Sequence, residues 1–170
     1  MTPPQKAPSD LDARLKKIRL LSLDVDGVLT DGGLYYADDG SQLRKFNVRD
    51  GMGMKQVMAA GIEIALITAS DTDAIMKRAQ TLGIRHVRMG VGDKLSALTE
   101  VCGGLGIGLE EVAHMGDDVN DLPALGAVGL PMTVADGRPE VMAVADFVSG
   151  LIGGDGAVRD VCDRLLKARG

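Results

Sequence analysis

Short apolar runs that alternate with stretches of helical periodicity constrain this chain more than any other feature. Residues 18–24 (IRLLSLD), 62–68 (IEIALIT), 85–89 (RHVRM), 112–115 (VAHM), 127–130 and 146–148 read as strands. Helical spacing follows them. Met54, Val57, Met58 and Gly61 recur on one face, and residues 71–82, 94–105, 120–125 and 158–166 carry the later helices. Strands alternating with helices of about 10–12 residues imply β-α-β crossovers and a mainly parallel sheet. The expected fold is therefore α/β, a Rossmann-like sheet with helices on both faces. A β-hairpin interrupts the pattern at residues 34–48, where Tyr35, Tyr36, Leu43, Phe46 and Val48 flank a reversal at Asp39 and Gly40. With 170 residues the chain suits one domain. Residues 1–14 read as a disordered tail and 15–170 as that domain.

In open parallel sheets, ligands bind outside the carboxyl ends of the strands. The first strand ends in DVDGVLTDG, with Asp24 and Asp26. The second ends in Thr68, Ala69 and Ser70. Lys94 follows the third, and GDDVND, with Asp117 and Asp121, follows the fourth. Clustered carboxylates repel one another unless a cation neutralises them. Oxygen ligands without histidine point to Mg²⁺ rather than Zn²⁺.

The roles follow from the chemistry of a phosphate monoester, whose oxygens repel nucleophiles. Asp24, at a strand tip, can attack phosphorus in line. Asp26 can protonate the leaving oxygen and then activate water, and its backbone carbonyl can serve the metal. Asp24 and Asp117 would hold Mg²⁺ by their carboxylates, while Thr68 and Lys94 donate to the phosphoryl oxygens. Taken singly, Thr68 could be a helix cap and Lys94 a surface lysine; only their order with the acids gives them weight. His86 and His114 fit no catalytic spacing and read as structural. The glycines of residues 103–108 follow a helix rather than a strand, which excludes a nucleotide loop.

These residues resemble the haloacid dehalogenase superfamily. Asp24 and Asp26 match its first motif, Thr68 its second, Lys94 its third, and Asp117 with Asp121 its fourth; the resemblance runs from residue 18 to 166. DVDGVLTDG, KFNVRDGMGMK and GGDGAVRDVCD are similar to the small cap-less branch that contains 3-deoxy-D-manno-octulosonate 8-phosphate phosphatase. That resemblance implies a homotetramer built through the hairpin flap, in which neighbouring chains complete one another's sites. It also implies a phosphorylated sugar-acid substrate, an aspartyl-phosphate intermediate and a place in lipopolysaccharide precursor synthesis. Asn47, Val48, Arg49, Asp50, Gly51 and Lys55 would line the substrate site with Arg78, Ser70, Asp26 and Lys94. Arg49, Lys55 and Arg78 are also cations that a carboxylate or phosphate attracts. The segment 153–156 would be flexible and able to close over a neighbour's site. One departure stands out: the second motif usually reads Thr-Gly-Arg, and here it reads Thr68–Ala69–Ser70. Arg49, Asp50 and Gly51 favour the eight-carbon acid; the alternative is the related nine-carbon substrate, 2-keto-3-deoxynonulosonate 9-phosphate, or another sugar phosphate. A signalling receiver fails because its phosphorylated aspartate would follow the third strand. A non-catalytic oligomerisation domain would have lost part of an acid set that this chain keeps.

Composition closes off other classes. A net charge of −5 and an aromatic content of 2% fit neither a nucleic-acid backbone binder nor a base-stacking surface. No apolar run reaches the roughly 18 residues of a membrane span. Cys102 and Cys162, outside any CxxC pair, read as small core residues, which suits a reduced cytoplasmic setting.

Overall fold

A computed structural model of the protein describes residues 8–170. The central sheet has the order β5-β4-β1-β6-β7-β8, built from Leu20–Leu23 (β1), Glu63–Ile67 (β4), His86–Arg88 (β5), Val112–Met115 (β6), Leu130–Thr133 (β7) and Phe147–Val148 (β8). Every neighbouring pair runs parallel, with Leu23 opposite Leu66 on one side and Met115 on the other. Tyr35–Tyr36 (β2) and Gln42–Leu43 (β3) form the separate antiparallel hairpin.

The helices divide by strand alternation, since successive side chains point to opposite faces. Leu21, Leu23, Ile64, Leu66, Ala113 and Met115 face Pro8–Lys17 (α1), Val48–Ala59 (α2), Asp73–Leu82 (α3) and Ala157–Arg169 (α7). Leu20, Ala65, Ile67 and Val112 face Lys94–Leu105 (α4) and Leu122–Ala127 (α5). Cys102 and Cys162 are buried free thiols, one on each side. The expected two-sided α/β sheet with a hairpin is the observed one. β1 lies between strands reached in opposite directions along the chain, so a crevice opens at its carboxyl end.

Four local expectations are corrected. The tail expected over residues 1–14 contains helix from Pro8 onward, because Leu15 and Ile18 are buried with Leu11 packed beside them; residues 1–7 lie outside the described residues. The strand expected at 127–130 lies at Leu130–Thr133 instead. Pro131 reads as a strand breaker, yet it needs only its carbonyl there, which accepts a hydrogen bond from the Asp146 amide at 2.9 Å. A short helix, Pro139–Val144 (α6), stands where no periodicity announced one. Residues 153–156 are packed rather than free. The Gly154 amide bonds the Val28 carbonyl at 3.0 Å, the Gly153 amide bonds Asp136 at 3.1 Å, and the segment leads directly into α7.

Candidate active site

The turn after β1 is rigid for reasons visible residue by residue. The Thr30 hydroxyl is buried and accepts from the amides of Gly27 (3.3 Å) and Gly32 (3.1 Å). Gly27 has φ +87°, and a Cβ there would stand 1.9 Å from Asp117 Oδ2, so only glycine lets the first and fourth strand ends approach. Asp24 leaves the end of β1 with its Oδ1 accepting from the Val25 amide at 2.7 Å.

Asp24, Asp117 and Asp121 bring carboxylate oxygens within 4.8 Å of one another. Their surroundings assign them different tasks. Asp121 is fully buried and its oxygens are occupied: Oδ1 accepts from Lys94 Nζ at 2.7 Å and faces His114 Nε2 at 3.2 Å, while Oδ2 accepts from the Asp117 amide at 3.1 Å. It orients the cluster rather than offering a ligand. Asp117 Oδ1, by contrast, is buried without a hydrogen-bond partner, an oxygen that suits a cation. Asp24 and Asp117 thus form an oxygen-donor pair that fits a hard divalent ion.

Charge follows from this packing. Burial, then the nearby Asp121, push the Asp24 carboxyl up to about 8, although Lys94 pulls the other way. Burial and Asp121 likewise raise Asp117 to about 6. Burial also opposes ionisation of Asp121, but His114 and Lys94 outweigh it and bring the group down to about 2. Lys94, with Nζ 3.1 Å from Asp24 Oδ1, is held above the ordinary lysine range because Asp24 and Asp121 overcome the cost of burying it.

A cavity of about 310 Å³ opens onto Asp24, Asp26, Thr68, Ser70 and Asp117, with Gly32, Asp118 and Asn120 completing its wall. Thr68 is buried at this wall, and its hydroxyl accepts from the Ser70 amide at 3.1 Å, so it does not cap α3, whose first flanking residue is Thr72. Lys94 opens α4 beneath the cavity floor. Asp26, on the same cavity, is held from the hairpin: Arg44 binds it through Nε (2.8 Å) and Nη2 (3.2 Å), and Ser70 Oγ donates to it at 2.5 Å. Burial pushes Asp26 upward, and these donors more than reverse that, leaving it below the usual carboxylate range.

The remaining expected substrate residues do not line this cavity. Asn47 caps α2, accepting from the Arg49 amide at 2.8 Å, and its Nδ2 donates to the Gly154 carbonyl at 3.2 Å. Asp50 is buried and accepts from the Arg159 amide at 2.9 Å, so it caps the start of α7 from a neighbouring helix. Gly51 packs under Arg78, whose Nη2 donates to the Asn47 carbonyl at 3.1 Å and whose guanidinium lies over Phe46. Val48, Arg49 and Lys55 face outward. One residue, Arg44, went unread in the sequence, and another was read without its link to the site. His114 is structural, as expected, but it supports the site, joining Ser22 and Asp121 at 3.0 and 3.2 Å. Arg44 carried a signal only in its position next to outward-facing Leu43, which turns it inward.

Known proteins share this fold and much of this sequence. Residues 87–159 match the haloacid dehalogenase-like hydrolase family. The chain is 45% identical to the 3-deoxy-D-manno-octulosonate 8-phosphate phosphatase of Escherichia coli over 162 residues, covering 95% of this chain and 86% of that protein. The crystal structure of the Yersinia pestis phosphatase of the same name superposes with a TM-score of 0.93 at 43% identity, covering 94% of this chain and 86% of that one. The Moraxella catarrhalis phosphatase, solved with magnesium, phosphate and KDO, gives 0.94 at 38% identity over 96% of this chain and 94% of that one. With its four motifs gathered at one sheet edge and this identity across nearly its whole length, the chain belongs to the haloacid dehalogenase-like hydrolases, in the branch of the 3-deoxy-D-manno-octulosonate 8-phosphate phosphatases.

Proposed function

We propose that the chain hydrolyses 3-deoxy-D-manno-octulosonate 8-phosphate to the free sugar acid and phosphate, with Mg²⁺ bound, in lipopolysaccharide precursor synthesis. The observation that carries this reading is the buried Asp24–Lys94–Asp121 array beside the unpartnered Asp117 oxygen, within a chain 45% identical to phosphatases of that name. Asp24 and Asp117 would hold the cation with the Asp26 carbonyl. Bound there, the cation supplies charge that offsets phosphate repulsion and favours ionised Asp24. Asp24 attacks phosphorus and becomes the acyl phosphate as the sugar alkoxide leaves. Asp26, ionised in the free site, takes up a proton with the substrate and hands it to that oxygen, then takes one from the water that opens the intermediate. Thr68 and Lys94 donate to phosphoryl oxygens as charge builds, and His114 and Asp121 keep Lys94 on line.

The sugar-acid end falls to Ser70 within the cavity, and to Asn47, Val48, Arg49, Asp50, Gly51, Lys55 and Arg78 around the start of α2. Arg49 and Lys55 are exposed, which suits service to a neighbouring chain's cavity in a homotetramer. Asp50 and Gly51 are buried and serve by shaping that surface. Ser70 at the position of the usual arginine removes a cation from the substrate site, and with it one reason to set aside a second reading, the nine-carbon keto-sugar acid phosphate. We assign the enzyme to the cytoplasm, where reduced thiols such as the free Cys102 and Cys162 persist.

The test is phosphate release, with and without Mg²⁺, from both keto-sugar acid phosphates and a panel of other sugar phosphates. Selective Mg²⁺-dependent release from the eight-carbon ester is the expected result. Release from the nine-carbon ester alone would move the assignment to the second reading, and no release from any ester would overturn both.

A further inference from the structure

Arg44 is the one cation that the hairpin sends inward. Its side chain is 1% exposed although hairpin residues 31–41 are exposed throughout. A guanidinium has five N–H donors, and all five are engaged here. Nε and Nη2 grip the two oxygens of Asp26 at 2.8 and 3.2 Å; Nη2 also reaches Ser70 Oγ at 3.2 Å; Nη1 reaches Thr72 Oγ1 at 3.0 Å and Gln42 Oε1 at 3.3 Å. A group so fully bonded is not a free hook for substrate. Ser70, between Asp26 and Arg44, is small enough to let both reach it, and a long side chain at 70 would fill the space of the guanidinium.

We propose that Arg44 is a positioning residue for Asp26: from the residue just after β3 it fixes the plane of the carboxylate that serves the leaving oxygen and the attacking water, and the short side chain of Ser70 is what gives it room. The bidentate fork holds a carboxylate in one orientation, which a single ammonium contact does not do. The hairpin is thereby coupled to the chemistry within its own chain, independently of any neighbour. This inference rests on the phosphatase reading above, and activity of the wild-type enzyme tests that reading first.

On an active wild type, Arg44→Gln should lower kcat by roughly 10- to 100-fold, the range expected when a proton-transfer group loses its orientation, with KM changed by less than about threefold. Arg44→Lys should restore part of the loss. In an Asp26→Asn background, Arg44→Gln should cost nothing further, because the group it orients is already disabled. Ser70→Arg should lower kcat by crowding Arg44, and Arg44→Ser with Ser70→Arg should recover part of that. Unchanged kcat in Arg44→Gln, an effect on KM alone, or losses from Arg44→Gln and Asp26→Asn that multiply would each overturn the proposal. Should Arg44→Gln fail to fold, Arg44→Lys and the Ser70→Arg pair carry the same comparison.

Discussion

Asp24 sits in an environment that opposes the charge its proposed role as nucleophile requires. Buried beside two other acids, it holds its proton up to about 8, and Asp117 holds one up to about 6. Both values exceed the unfolded value of 3.8, so the folded state binds the extra protons. Their stabilising contribution is complete below the unfolded value and is lost as pH rises through 6 and then 8. Asp121, brought down to about 2, works the other way, but its contribution is constant above the unfolded carboxylate range. The melting temperature of the metal-free protein should therefore fall between about pH 5 and about pH 9. Mg²⁺ should restore it most at the alkaline end, adding about 2.7 kcal/mol at a hundredfold excess over Kd. A melting temperature that rises over this range without metal would contradict the burial argument. Asp24→Asn should reduce phosphate release by roughly three orders of magnitude or more, while raising the alkaline melting temperature of the metal-free protein. Asp117→Ala should raise the Mg²⁺ concentration needed for half-maximal activity at least about tenfold; an unchanged titration would remove it as a ligand.

At the scale of elements, side chains that resemble binding residues in the sequence act as joints. Asp50 opens α2 chemically as an acid in a first turn, yet its carboxylate serves the amide of Arg159 in α7. Burial raises its proton affinity against that hydrogen bond, and its second oxygen is buried without a partner. Asp50→Asn keeps an acceptor for Arg159 and should be nearly neutral, whereas Asp50→Ala should cost about 1–2 kcal/mol, as loss of a helix cap does. Thermal unfolding of the two variants separates them, since 1 kcal/mol is worth about 2–4 °C in a domain of this size. Gly153 makes a comparable joint: a Cβ there would meet the Gly27 carbonyl at 1.9 Å, so the segment before α7 lies directly on the turn after β1. This is why 153–156 reads as flexible in sequence and is held in the fold. The glycines that suggest mobility are there for close approach.

For the whole molecule, the hairpin and the start of α2 leave a run of apolar surface: Tyr35 (69% exposed), Tyr36 (67%), Leu43 (60%), Val48 (80%) and Met52 (53%). Such a patch rimmed by charge is costly for a monomer, which supports the homotetramer proposed above. Native mass spectrometry should find an oligomer, and Tyr36→Asp with Leu43→Asp should dissociate it; a monodisperse monomer with full activity would sink the shared-site arrangement. Much of this protein was legible in its sequence. Strand and helix periods are local, so the parallel sheet followed from alternation, and the strand-end rule then located Asp24, Asp26, Thr68, Lys94 and Asp117 at one edge. What the chain order could not express is direction. Only the tertiary structure decided that Asp121 faces Lys94 and His114 rather than a cation, that Asp50 turns to α7, and that Arg44 crosses from the hairpin to Asp26. Those choices depend on which distant backbone amide or carboxylate stands within hydrogen-bonding reach, and that is set by packing between elements rather than by residue spacing along the chain.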